Sequence, residues 1–380
     1  MVRYSIAASL PFRASVLVSW RRWLLTIISF AASIGVSAFI VVQTWPEGRL
    51  GVSLPVLAHV LALCAALLEI AGRVLKLNTS AIALGIPLTI GTSARTCLAG
   101  DFGASITPAR SGGEPARFLV LSEARVPVSS SVLLLYAELF LEMISLAVVA
   151  LALWLIFPVS RIATAGMVTV VGGYAGTVLG LAVVGMILAR RRAAGPAPRW
   201  ARAVGLGAGR WRAIQRALRR MRSGFSAVRR LKLRWAAISL LLSVIHLLAR
   251  FAVLPALVLT YDPTVPIAPL VIWPMVLFYG GVAVPAPAGG GVIEVGFAAA
   301  LGDVIPAPIF AASLIWWRFY TFYLLLLLGA IATGRTVLHA LRGQGRKRAV
   351  APAFDDPDPD DDLDAPLPSP GADERIERTR

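Results

Sequence analysis

Seven apolar stretches of transmembrane length, at about 23–45, 51–72, 128–157, 163–189, 236–260, 266–284 and 307–334, leave the chain very few architectures. Lipid offers no partners to backbone N–H and C=O groups, so only helices and closed barrels span a bilayer. Barrel strands would alternate apolar and polar residues over roughly ten positions, and no such alternation occurs. The chain is therefore predicted to be an all-α, polytopic helical membrane protein with about 7–9 transmembrane helices, plus re-entrant or broken helices. Basic residues ahead of a full-length first span mark that span as an uncleaved helix rather than a signal peptide.

Lysine and arginine in short loops orient such a chain. Arg13, Arg21 and Arg22 before the first span, Arg73 and Lys76 after the second, the 190–234 loop and Arg335 mark the cytoplasmic face. The loops near Glu47, Arg161, Asp262 and Asp303 read as the outer side. This puts both termini in the cytoplasm and the protein in the cell (cytoplasmic, or inner) membrane. Parity then requires segment 80–121 to leave and return to the inner face, as a re-entrant hairpin or two short helices, while 285–303 crosses as a broken helix.

Residues 1–340 form the transmembrane domain in this reading. Within it, the loop 190–234 holds fifteen arginines and lysines and no acidic residue. Nucleic acid is not the expected partner, because Trp211, Ile214, Leu218, Met221, Phe225, Val228 and Leu231 recur at helical spacing between the arginines. That pattern predicts an amphipathic cytoplasmic helix lying on the anionic inner-leaflet surface. Residues 341–380, rich in proline and aspartate, are predicted to be a disordered cytoplasmic tail.

The polar residues at membrane depth carry the chemistry. In VPAPAGGGVIEVGFAAA, residues 284–300, Pro285 and Pro287 end a helix and Gly289, Gly290 and Gly291 let the backbone bend. A half-helix starting there presents free N–H groups and a positive dipole end suited to an anion. Glu294, one turn further, needs a cation or a proton, and Arg318 and Arg250 are the candidate partners, with His246 one turn before Arg250. A second cluster, GDFGASITPARSGGEPARFLVL, interleaves Asp101, Arg110, Glu114 and Arg117 with glycine and proline. Pro108-Ala109 followed by Gly112, Gly113 and Glu114 parallels Pro287-Ala288 followed by Gly290, Gly291 and Glu294, a pattern expected of an internal repeat with a transport site between its halves. Glu138 and Glu142, one turn apart, repel unless a cation or proton intervenes. Cys64 and Cys97 support neither a disulfide framework nor a metal site. No metal, no cofactor and no catalytic residues are expected, and the chain is not expected to be an enzyme.

Three stretches carry a resemblance: TPARSGGEPARFLVL at 107–121, PAPAGGGVIEVGFAAAL at 285–301 and LIWWRFY at 314–320. In this order they resemble the integral membrane proteins related to the flippase-like transmembrane domain of lysylphosphatidylglycerol synthases, over roughly residues 15–340. One departure is visible in YAELFLEMISL: the family commonly shows Glu-Arg followed by an Asp, whereas here Glu138 precedes Leu139 and the acidic position is Glu142. The resemblance implies lipid handling. Members are regarded as flippase-like domains for aminoacylated phospholipid, and related stand-alone proteins are associated with hopanoid, glycolipid or polyprenyl-linked pathways. Lipid aminoacylation itself, which belongs to a large soluble domain, is not expected of this chain.

The leading expectation is a translocase for an anionic or aminoacylated phospholipid or a related lipid. Its headgroup would be bound by Arg110, Glu114, Arg117, Gly289, Gly290, Gly291, Glu294 and Arg318, with Asp101, Glu138, Glu142, His246 and Arg250 as secondary candidates. The alternatives are an accessory membrane subunit of a hopanoid, glycolipid or polyprenyl-linked biosynthetic pathway, working beside a lipid-biosynthesis enzyme, and a membrane transferase using Glu294 or Asp101 as base. Small residues in GMVTVVGGYAGTVLGLAVVG permit close helix packing within the chain or in a homo-oligomer.

Overall fold

The computed structural model describes residues 53–107, 110–190, 232–281 and 291–343, together with Gly35, Phe39, Val42 and Trp211. Among them run α1 (Val56–Ala83), α2 (Ile90–Ser105), α3 (Gly113–Glu123), α4 (Val128–Ile156), α5 (Arg161–Arg190), α6 (Leu233–Leu259), α7 (Ile267–Gly280), α8 (Val292–Leu301), α9 (Ala307–Arg318) and α10 (Leu324–Gly343), with a π-helical turn at Phe319–Tyr323 joining the last two. Four stretches of the described residues are long and apolar enough to cross a membrane: Val128–Ile156, Arg161–Ile187, Leu233–Leu259 and Ala307–Thr333. The chain is thus an all-α polytopic membrane protein, as its apolar runs predict. The predicted span 23–45 apart from three residues, the basic loop apart from Arg190, Trp211 and 232–234, and the tail beyond 343 lie outside the described residues. Trp211 is buried. The described residues up to His339 belong to one compact unit.

Hydropathy ends a span at residue 72, yet α1 continues to Ala83. No breaker follows until Gly85, which takes φ +72° while Ile86 N–H donates to the Ala81 carbonyl at 2.8 Å, a left-handed helix stop. Antiparallel packing of α1 on α6 covers the polar second half: Ser80 meets Ser239 at 2.6 Å, and Glu69 meets Arg250. Between these contacts Gly72 brings the helices close, since a Cβ there would lie 2.8 Å from His246 Cβ. Arg73 and Lys76 are consequently inside a helix and only 6% and 3% exposed. This corrects their predicted place in a cytoplasmic flank. Their positions follow from ion pairing, and they carry no weight for orientation.

Segment 80–121 takes the form of the end of α1 and two short helices, α2 and α3. Thr89 starts α2 by accepting the Thr92 N–H at 3.2 Å. The two helices touch backbone to backbone: a Cβ on Gly103 would lie 2.5 Å from the Gly112 carbonyl oxygen. At their corner the Thr107 hydroxyl donates to the Gly103 carbonyl at 2.7 Å and accepts the Gly112 N–H at 2.7 Å. Arg110 sits there at φ +56°, a left-handed conformation that costs an L-residue about 1–2 kcal/mol. The main apolar core includes Leu247, Leu254, Phe297 and Trp317, with the Trp317 ring 5.0 Å from Phe297 and 5.2 Å from Phe278.

Candidate functional site

A small cavity opens where the α2–α3 corner, α6, α7, α8, the end of α9, the π turn and the start of α10 converge. Asp101, Ser105, Arg110, Arg250, Arg318 and Thr321 form its polar wall, and Phe278, Ile293 and Phe322 are among its apolar neighbours. Water centres can occupy about 30 Å³ of it, more than one ordered water requires. Arg250 and Arg318 both stand well inside apolar spans, where a cation is expensive without partners.

Each of those two arginines is held by a carboxylate from another helix. Glu69 of α1 accepts from Arg250 Nε at 3.1 Å and from its Nη2, and also lies 2.9 Å from Arg73 Nε. Arg73 in turn grips Asp101 with two hydrogen bonds, 2.6 and 2.7 Å long, the two-pronged geometry that makes arginine pairs strong. A chain Asp101–Arg73–Glu69–Arg250 therefore stretches across α2, α1 and α6, with Asp101 and Arg250 facing the cavity. On the other wall, Arg318 Nε lies 2.9 Å from Glu294 Oε1, in an ion pair whose N–H is not aimed well enough for a hydrogen bond. The Arg318 guanidinium also rests 4.9 Å from the centre of the Phe322 ring. The π turn at Phe319–Tyr323 directly follows Arg318 and puts Thr321 and Phe322 on the cavity wall. Such turns inside α-helices occur often at functional sites.

Glu294 serves its own helix as well. Gly291, at φ +81°, precedes α8, and its N–H donates to Glu294 Oε2 at 2.7 Å. This is the backward half of a capping box, which needs only the carboxylate because glycine has no side chain to complete it.

A second polar cluster joins α1, α4, α6 and α7. Lys76 Nζ donates to Glu142 Oε2 at 2.7 Å and stands 3.8 Å from Glu138, Tyr279 donates to Glu142 Oε1 at 2.6 Å, and His246 Nε2 lies 3.3 Å from Glu142 Oε2.

The residues singled out from the sequence thus separate. Asp101, Arg110, Arg250 and Arg318 line the cavity, and Glu294 braces it through Arg318. Glu138, Glu142 and His246 belong to the second cluster. Glu114 is 3.5 Å from Arg117, with the glutamate side chain 46% exposed; neither is among the cavity-lining residues. Gly289 and Gly290 lie outside the described residues. Sequence reasoning missed Glu69, Tyr279, Thr321 and Phe322 and misplaced Arg73 and Lys76. The available signal was the i, i+4, i+7 spacing of Glu69, Arg73 and Lys76, which puts three charges on one face of a helix.

No curated protein matches the chain by sequence. Residues 14–329, most of its length, match the family described as the lysylphosphatidylglycerol synthase TM region. With membrane-spanning helices built around intramembrane ion pairs, and with that match, the chain belongs to the lysylphosphatidylglycerol synthase TM region family and is a multi-pass, lipid-related membrane protein.

Proposed function

We propose that this protein binds the headgroup of an anionic or aminoacylated phospholipid in the arginine-walled cavity and carries it across the cytoplasmic membrane. The observation that carries the reading is Arg110. Its side chain lines the cavity and takes part in no ion pair among the described residues, whereas Arg250 and Arg318 are each held by a glutamate. An unpaired cation in this setting invites an anion, and a headgroup phosphate supplies one. Asp101 offers a counter-charge to an amine on the headgroup. Translocation consists of opening this polar cavity to one leaflet and then the other. Both termini face the cytoplasm in this proposal, with the basic loop 190–234 on the anionic inner leaflet.

The test is movement of headgroup-labelled phospholipid in proteoliposomes. Removing the Arg110 guanidinium from a phosphate takes away a charge-assisted hydrogen bond, so Arg110→Ala slows transport by about tenfold or more. Mass spectrometry shows less co-purified lipid on that variant. Folded Arg110→Ala and Arg318→Ala proteins moving lipid at the parental rate would end this reading.

A further inference from the structure

The cluster around Glu142 lies apart from the cavity lining, and the lipid reading leaves it without a role. Glu142 itself is well served, with Lys76 Nζ on one carboxylate oxygen and the Tyr279 hydroxyl on the other. Glu138, one turn earlier on α4, is not. It is 3% exposed, its Oε2 is 3.8 Å from Lys76 Nζ, and its Oε1 is buried with no hydrogen-bond partner among the described residues. A buried carboxylate needs its lone pairs filled, and here one ammonium serves two carboxylates.

His246 sharpens the imbalance. It is fully buried, and its Nδ1 is 3.3 Å from the Leu242 carbonyl. A carbonyl only accepts, so Nδ1 carries a hydrogen, and Nε2, 3.3 Å from Glu142 Oε2, either turns a lone pair toward that carboxylate or carries a second proton. With the imidazole neutral, Lys76, Glu138, Glu142 and His246 together hold one excess negative charge, which a single proton cancels. Other groups act on Glu138 from the neighbouring helices: Cys97 of α2, Glu114 and Arg117 of α3 and Tyr174 of α5, with Tyr279 of α7 reaching it through Glu142.

We propose that this cluster is a proton-binding site in which Glu138 holds one exchangeable proton, and that loading and unloading this proton drives headgroup movement in the cavity. The proton comes from water and returns to water, forming and breaking one O–H bond on Glu138. With Glu138 protonated, Lys76 is left to Glu142; without the proton, Lys76 is drawn toward both carboxylates. The α1–α6 pair links the two places, because Lys76 shares a helix face with Glu69 and Arg73, and His246 lies one turn before the cavity's Arg250. The second half of the proposal rests on the lipid-transport reading and the first half does not.

Infrared difference spectra of the full-length protein in nanodiscs, recorded across a pH titration, test the first half. The wild type is expected to show the carbonyl stretch of a buried protonated carboxyl group, sensitive to deuteration. That band is lost in Glu138→Gln, retained in Glu114→Gln and displaced in Glu138→Asp, which keeps a carboxyl group should the glutamine variant fail to fold. Absence of a titrating band in the wild type, or its survival in Glu138→Gln, overturns the site. For the second half, a pH gradient of one unit across proteoliposomes biases the distribution of labelled lipid by about tenfold for one proton per lipid, and Glu138→Gln removes the bias. Wild-type protein that moves lipid indifferently to the gradient overturns the coupling. Wild-type protein that shows the band but moves no lipid overturns the lipid reading and leaves the proton site standing.

Discussion

The corner before α3 and the corner before α8 share a Pro-Ala step, a pair of glycines and a carboxylate in the first helical turn, Glu114 in one and Glu294 in the other. Their surroundings differ. The Glu114 side chain is 46% exposed and meets Arg117 at 3.5 Å, while that of Glu294 is 2% exposed, receives the Gly291 N–H and holds Arg318 at 2.9 Å. A carboxylate near a helix N-terminus is favoured by the dipole in both places. Only the buried one must also neutralise a cation set inside an apolar span. The backbones differ in parallel. Positive φ falls on Gly291 at one corner, where it costs little, and on Arg110 at the other, where the strain belongs to a cavity arginine with no ion pair among the described residues.

Thermal unfolding in detergent can break this comparison. Glu294→Ala strands Arg318 and the Gly291 N–H together and is expected to cost about 3–5 kcal/mol. Gly291→Ala puts a Cβ into a left-handed conformation, for about 1–2 kcal/mol. Arg110→Gly works in the opposite direction: relief of the strained backbone raises stability by up to about 1 kcal/mol, while the lipid-transport assay loses activity with the cation. Glu114→Ala changes stability by less than about 1 kcal/mol, as expected where the carboxylate is exposed and 3.5 Å from its partner. Equal costs for Glu294→Ala and Glu114→Ala would erase the distinction between the corners.

Glu294 and Arg318 stood out in the sequence because each interrupts an apolar setting that has no use for a charge. Arg73 and Lys76 did not, because cations at the edge of an apolar run look the same whether they flank a span or lie buried at the end of a longer helix. Glu69 was hidden by its position inside that run. The π turn after Arg318 has no composition cue, since FYTFY is as suited to an α-helix as to the wider turn that exposes Thr321 and Phe322 to the cavity.

The helical class, the interruptions at the glycine-rich corners and the need of Glu294 for a counter-charge could all be read from the letters. They arise from lipid's lack of hydrogen-bonding partners, a constraint that acts on each segment separately. Packing alone determined the pairings that join one helix to another. Glu69 with Arg250, Lys76 with Glu142 and Arg73 with Asp101 meet across long stretches of chain. Such pairings depend on helices lying side by side, and the spacing of residues within one helix carries no information about its neighbour.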